Sequence, residues 1–166
     1  MYVIGDRVVY GIHGVCGIVA VEQRRVDRKT VEYFALEPLD RPGSRFYVPT
    51  GNAVALSKMR PLLSAEEMET LLHSEPSRDV WISHEGLRKN RYKELLAYTD
   101  REALLAMIVA LYAYKNDLIS KGKKFHMSDE NFLWDAEKLL ISEISYVLSM
   151  DHVKAGQYLR QSLRVS

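Results

Sequence analysis

The sequence lacks the features that would place it in several specialised classes of protein. It has one cysteine, Cys16, so no intramolecular disulfide can form, and a reducing cytoplasm is the expected location. No apolar run approaches about eighteen residues, and Asp6 and Arg7 interrupt the N-terminus, so we expect neither a transmembrane helix nor a signal peptide. The net charge is only +1, so any binding of nucleic acid requires a local basic patch.

What the chain does have is enough apolar residues to build a core. Hydrophobic residues make up 47% of its 166 residues and charged residues 27%, which argues against disorder and suits one domain or two small ones.

The first 63 residues are typical of short strands separated by turns. The strand segments are rich in Val, Tyr, Phe and Ile, and they read RVVY, GVCGIVAVEQ, TVEYFALEPL, SRFYVP and AVAL. Five strands in so short a stretch leave no room for crossover helices. The pattern therefore predicts an antiparallel sheet curled into a small barrel.

From Ser64 onward the apolar residues recur with helical spacing. Capping boxes are predicted at Ser64, with Glu67, and at Thr99, with Glu102, and further helix starts at Ser128 and Asp151. The segment REALLAMIVALYAYKNDLI is apolar nearly all round, which predicts the buried central helix. We therefore predict an α+β protein of two domains: residues 1–63 as the sheet domain, and 64–166 as a compact bundle of about five helices.

Catalytic and metal-binding patterns are weak. His13 and Cys16 are three residues apart, but a lone cysteine in a β-hairpin is typical of a small apolar core residue. The five histidines lack the spacing of metal ligands. GIHGVCG is followed by a strand and lacks the GK[ST] of a phosphate-binding loop. We expect a protein that is not an enzyme and holds no cofactor or metal.

Two clusters of basic residues offer binding surfaces. Arg24, Arg25, Arg28 and Lys29 surround the turn between the second and third predicted strands. They are either a charged strand edge that prevents aggregation or a docking site for an acidic protein surface. Arg88, Lys89, Arg91 and Lys93 form the second cluster, which is either a solvated helix face or a surface for phosphates.

Trp81 precedes the second cluster and also has two interpretations. Between Val80 and Ile82 it fits a core position at the start of a helix. Beside four cations it equally fits an exposed side chain at a binding surface.

Several short motifs, in order along essentially the whole chain, resemble the CarD family of bacterial RNA-polymerase-binding transcription regulators. The opening IGDRVVYGIHGVCGIV is similar to that family's strand, HG turn and second strand. VEYFALEPL and FYVPTGNA resemble its middle strands and the following turn. NRYKELL and AEKLLISEIS resemble its helical half.

The resemblance implies a function for each domain. A Tudor-like N-terminal domain would bind the β subunit of RNA polymerase, and the helical domain would face promoter DNA at the upstream edge of the transcription bubble. There a tryptophan would act as a wedge at the minor groove while cations hold phosphates, which stabilises the open complex without reading sequence. The protein would act as a monomer on the polymerase, without a membrane. The alternative is a protein adaptor on the polymerase that makes no DNA contact.

The resemblance also assigns residues, with some departures. Arg24 matches a polymerase-binding arginine, whereas Tyr47 replaces a second one, for which Arg45 is a substitute on the same strand face. Glu130 stands where the family has a DNA-contacting lysine. The predicted polymerase-binding residues are Arg24, Arg25, Arg45 and Tyr47, and the predicted DNA-binding residues are Trp81, Arg88, Lys89, Arg91 and Lys93.

The spacing of Trp81 is a further departure. Residues 82–87 separate it from the basic cluster, whereas the family's tryptophan lies within a residue or two of it. The excess corresponds to about one helical turn, a displacement of roughly 6 Å along the axis.

Overall fold

The structure is a computed structural model that describes residues 1–76 and 81–166. Val80, one of the two apolar neighbours that favour a core position for Trp81, lies outside the described residues. The chain forms a sheet followed by helices, which confirms the predicted α+β class. The strands and the first helix are β1 (Arg7–Tyr10), β2 (Val15–Val26), β3 (Lys29–Pro38), β4 (Phe46–Pro49), α1 (Ala53–Ser57) and β5 (Met59–Pro61).

The five strands form one antiparallel sheet in the order β4-β3-β2-β1-β5. Its two edges are β4 and β5, and α1 contacts both of them. The sheet has its own apolar core, which includes Val8, Ile18 and Leu36. Cys16 belongs to this core and is fully buried, as expected for a small apolar residue.

The fifth predicted strand was wrong in position. Residues 53–56, AVAL, open the helix α1, and the fifth strand is instead Met59–Pro61. Asn52 explains the helix, because its side chain accepts a hydrogen bond from the backbone N–H of Ala55 at 3.0 Å. This cap, followed by alanine and leucine, favours helix over strand even in so short a segment.

The second half contains five helices in the described residues, which agrees with the prediction. They are α2 (Ala65–His73), α3 (Glu85–Tyr98), α4 (Arg101–Ser120), α5 (Met127–Val147) and α6 (His152–Leu163). Their shared core contains Leu104, Ile108, Leu133, Ile144 and Leu159. The first half of α4 is buried as predicted, while its last turns are partly exposed. By length and composition α4 could cross a membrane, a property that core helices share.

Two of the predicted helix starts are confirmed and two were wrong. Ser64 and Glu67 form the expected capping box, and Asp151 caps α6. Asp100, and not Thr99, caps α4, because Thr99 ends α3 in the left-handed conformation with φ 49°. α5 begins at Met127, one residue before the predicted cap Ser128.

The sheet domain and the helices meet through polar contacts at the segment between β5 and α2, where we predicted the domain boundary. Arg101 forms an ion pair with Glu143 and also donates to the carbonyl of Pro61 at 2.8 Å. Glu143 accepts a further bond from the backbone N–H of Leu63 at 3.1 Å. Arg60 Nε donates to the carbonyl of Tyr98 at 2.6 Å. These bonds hold the last strand of the sheet against α3, α4 and α5.

Candidate functional site

The β2–β3 hairpin extends beyond the rest of the sheet. β1 pairs only with residues 15–17 of β2, and β4 only with residues 33–36 of β3, so the distal half of the hairpin is a two-stranded ribbon. Its turn consists of Asp27 and Arg28, both with positive φ, which is the backbone twist that two-residue hairpin loops favour. Arg24, Arg25, Arg28 and Lys29 are all exposed on this ribbon.

The structure brings Arg24 and Tyr47 together on one face of the sheet. The Arg24 guanidinium carbon lies 3.8 Å from the centre of the Tyr47 ring, and Nη2 is 3.1 Å from Glu22 Oε2. The hydrogen bond to Glu22 raises the pKa of Arg24. An arginine supported by an aromatic ring presents its N–H donors in a fixed direction, which suits recognition of a carboxylate.

The other two predicted polymerase-binding residues are not part of this pair. Arg45 is exposed, with Nε 3.7 Å from Glu37 Oε2. Arg25 follows Arg24 on the same strand, and side chains alternate along a strand, so Arg25 points to the opposite face of the ribbon.

Trp81 is partly buried and packs against the helical core. Its ring stacks on Tyr114 of α4, with the ring centres 4.0 Å apart and the planes inclined by 18°. The guanidinium carbon of Arg88 lies 4.6 Å from the centre of the same ring. Neither sequence interpretation describes this position fully, because the indole is at the surface and is also held by two neighbours.

The structure corrects the placement of Arg88 in the exposed basic cluster. Only 5% of this residue is exposed, and its guanidinium forms a two-bond ion pair with the fully buried Asp129, both distances being 2.9 Å. The physical reason is its position on the face of α3 that carries Tyr92 and Leu95 four and seven residues later, both of which are buried. Arg88 is therefore a core residue and cannot reach a phosphate from this position.

The remaining cations of the cluster lie on the outside of α3. Lys89 pairs with Glu85 at 2.7 Å and Arg91 with Glu94 at 3.7 Å. Lys93 is exposed, and no ion pair of its side chain occurs within the described parts of the chain. These three side chains are compatible with contacts to phosphates, but the acidic neighbours reduce the net charge of the face.

Sequence reasoning missed the more exposed of the two tryptophans. Trp134 on α5 is 66% exposed, whereas Trp81 is partly buried. A signal was present, because Trp134 shares its helix face with Lys138 four residues later, and both lie off the face of Leu133, Ala136 and Leu140. Sequence reasoning also missed Asp129, Arg101 and Glu143, whose charges are paired in the interior.

The geometry of His13 and Cys16 gives no catalytic pair. The His13 ring stacks on Phe46 with ring centres 4.2 Å apart, while Cys16 Sγ donates to the carbonyl of Gly14. Burial raises the pKa of the Cys16 thiol to about 12, so the nucleophilic thiolate is disfavoured. Within residues 1–76 and 81–166, no cluster of three or more His, Cys, Asp or Glu side chains is arranged to hold a metal ion.

Comparison with known proteins identifies the sheet domain. The family model of the CarD-like/TRCF RID domain matches residues 2–62, which span all five strands and α1. A search of the curated proteins found no significant match. The matched domain indicates a transcription-related function that involves interaction with RNA polymerase, and its family is typically not enzymatic. Residues 2–62 of this chain, which form the five-stranded sheet and α1, therefore match the CarD-like/TRCF RID domain, and this match supports a CarD-like assignment.

Proposed function

We propose that this protein is a cytoplasmic transcription regulator without enzymatic activity. In this proposal its N-terminal domain binds the β subunit of RNA polymerase, and its helical domain stabilises the promoter open complex at the upstream edge of the bubble. The protein acts as a monomer on the polymerase. The family match supports the polymerase interaction, and the details of the interface are inferred from this chain's own residues.

The observation that carries the proposal is the Arg24–Tyr47 pair on the exposed hairpin. The stacked ring restricts the arginine side chain before any partner arrives, so less conformational entropy is lost on binding. The planar guanidinium matches a carboxylate geometrically, which makes an acidic surface of the polymerase the expected partner. Arg25, on the other face of the ribbon, and Arg45 extend the positive charge around this pair.

The DNA contact is proposed for the outer face of α3. Lys89, Arg91 and Lys93 can reach phosphates, which positions the protein on a duplex without reading its sequence. Three cations give weak affinity by themselves. Attachment to the polymerase compensates for this, because it converts DNA binding into a local event at high effective concentration.

A second candidate, an adaptor that touches the polymerase and another protein but not DNA, is favoured by one specific observation. Trp81 and Arg88 pack on each other and on the helical core instead of projecting together into solvent. An indole stacked on Tyr114 is a poorer wedge than a free one, because entering a base step would require giving up that contact.

Polymerase binding is tested by the charge reversal Arg24→Glu. The variant should lose affinity for the isolated β subunit by at least about tenfold, because it places a negative charge where the carboxylate partner is expected. A tenfold loss corresponds to about 1.4 kcal/mol of binding free energy. Lys138→Glu is the matched control, because Lys138 is also exposed but lies on α5. Unchanged binding of Arg24→Glu would show that the assigned face is wrong.

The two candidates differ in the effect of reversing the α3 charges. The DNA-contacting protein predicts that the triple change Lys89→Glu, Arg91→Glu and Lys93→Glu shortens the lifetime of the open complex while polymerase binding stays intact. The adaptor predicts no change in that lifetime. Lys138→Glu again serves as control, and competitor challenge of preformed complexes is the measurement.

A further inference from the structure

Arg88 connects three parts of the helical domain through one side chain. Its Nε and Nη2 donate to the two carboxylate oxygens of Asp129 on α5, each at 2.9 Å. Its Nη1 donates to the backbone carbonyl of Ile82 at 2.9 Å and also approaches that of Ser83 at 3.4 Å. A residue of α3 thus attaches the segment that carries Trp81 to the start of α5.

The same guanidinium also contacts the indole itself. Its carbon lies 4.6 Å from the centre of the Trp81 ring, which in turn stacks on Tyr114 at 4.0 Å. Trp81 is consequently held in two ways. Its ring contacts both the Arg88 guanidinium and the Tyr114 ring, and Arg88 also binds the backbone carbonyls that follow it in the chain. Turning the indole away would give up both its stacking on Tyr114 and its contact with Arg88.

The chemistry of this arrangement requires arginine. Asp129 is fully buried, so its charge needs a partner that satisfies both oxygens at once. The planar fork of a guanidinium does so while its third nitrogen still reaches the carbonyls. A lysine ammonium would keep the charge but lose the two-bond geometry and the stacking on the ring.

We infer that Arg88 is a positioning residue, which fixes the orientation of Trp81 and so determines which part of the indole faces a binding partner. The functional consequence rests on the proposed contact of the helical domain with promoter DNA. The orientation itself does not, because it is a property of the free protein. The two can therefore be tested separately.

The first test uses Trp81 fluorescence in the free protein. Trp134→Phe leaves Trp81 as the sole tryptophan, since the chain has two. In that background Arg88→Lys should shift the emission to longer wavelength. It should also raise acrylamide quenching towards the value that the 66% exposed Trp134 gives in a Trp81→Phe protein. Arg91→Lys, on the outer face of the same helix, should change neither. A folded Arg88→Lys protein with unchanged emission and quenching would overturn the inference.

A second measurement needs no substitution at the ion pair, in case Arg88→Lys does not fold. In the wild-type protein the guanidinium of Arg88 should give separate, slowly exchanging Nη–H signals in nitrogen-15 NMR spectra. Its Nε–H signal should shift when the adjacent indole is removed by Trp81→Phe. Averaged Nη signals, like those of the exposed Arg91, or an Nε–H shift insensitive to Trp81→Phe, would contradict a fixed arrangement.

The functional test compares single and double variants on a polymerase–promoter complex. If Arg88 acts through Trp81, Arg88→Lys shortens the open-complex lifetime by the same factor as Trp81→Ala, and the double variant shows no further loss. A further loss in the double variant would show that Arg88 acts by another route. If Trp81→Ala leaves the lifetime unchanged while the polymerase stays bound, the proposed wedge fails, and the fluorescence and NMR results still decide the positioning role.

Discussion

Arg101 and Glu143 form a two-bond ion pair at the junction between the sheet and the helices, with Nε 2.8 Å and Nη2 2.7 Å from the carboxylate oxygens. Glu143 is only 2% exposed. Because the same pair also binds the backbone of Pro61 and Leu63, it fixes the chain segment that leaves the sheet domain. The orientation of the sheet domain relative to the helical domain thus depends on these two side chains.

Removing one partner of this pair should destabilise the whole protein. We expect Glu143→Gln to lower the free energy of unfolding by about 3 kcal/mol, because the Arg101 charge is left without its partner. Urea denaturation measures the change. Glu102→Gln, at the exposed residue that follows Arg101 on α4, should stay within about 0.5 kcal/mol of the wild type. If Glu143→Gln lowers the free energy of unfolding by no more than Glu102→Gln does, the pair contributes little to stability.

Gly14 provides a test of how closely the sheet approaches α5. It has φ +69°, and an added Cβ would lie 3.0 Å from Ser142 Oγ. Gly43 also has a positive φ, +87°, but an added Cβ there would meet open space. Both Gly→Ala changes should incur backbone strain of about 1 kcal/mol or more, and Gly14→Ala a further loss from the contact with Ser142. Thermal unfolding of the two variants should therefore rank Gly43→Ala as the more stable.

Stability at high pH should depend on Cys16. Burial is the main cause that raises the pKa of its thiol, from 9.0 to about 12. Between these values the unfolded chain loses the thiol proton while the folded protein retains it, so stability falls as the pH rises through this window. The contribution is fully present below pH 9.0. The Cys16→Ala protein should show a shallower loss of stability between about pH 9 and pH 10, before tyrosines of the unfolded chain dominate the titration.

The affinity of the helical domain for DNA should be low and sensitive to salt. With at most three α3 cations on phosphates, the logarithm of the binding constant should fall with the logarithm of salt concentration with a slope of about −3 or shallower. Arg91→Gln together with Lys93→Gln should flatten the slope by about two. Titrating a short duplex at several salt concentrations checks this prediction. A slope unaffected by the two changes would place the DNA contact elsewhere or remove it.

The patterns that depend on local chemistry could be predicted from the sequence. The capping box at Ser64 and the cap at Asp151 are set by residues within one helical turn, and both were found. The strand segments of β1 to β4 follow the positions of the β-branched and aromatic residues closely. AVAL was mistaken for a strand because its helix depends on the cap at Asn52, which the apolar pattern does not show.

The site residues were harder to predict because their positions depend on distant partners. Arg88 looked like its neighbours Lys89 and Arg91, and the carboxylate that pairs with its buried charge, Asp129, lies 41 residues later. The partial burial of Trp81 likewise depends on Tyr114 of another helix. Arg24 and Tyr47 were predicted from the family resemblance and lie together in the structure, but their role on the polymerase stays a prediction.

The junction at Glu143 has a consequence for the order in which the protein matures on the ribosome. Leu63 hydrogen-bonds a side chain that is synthesised 80 residues after it. At typical rates of translation this interval lasts about 4–16 s. Throughout that time the residues of the sheet domain have already been synthesised. The Glu143 carboxylate, which binds the backbone just after the sheet domain, has not yet been made. A nascent chain can therefore expose the β2–β3 hairpin before the position of the sheet domain relative to the later helices is set.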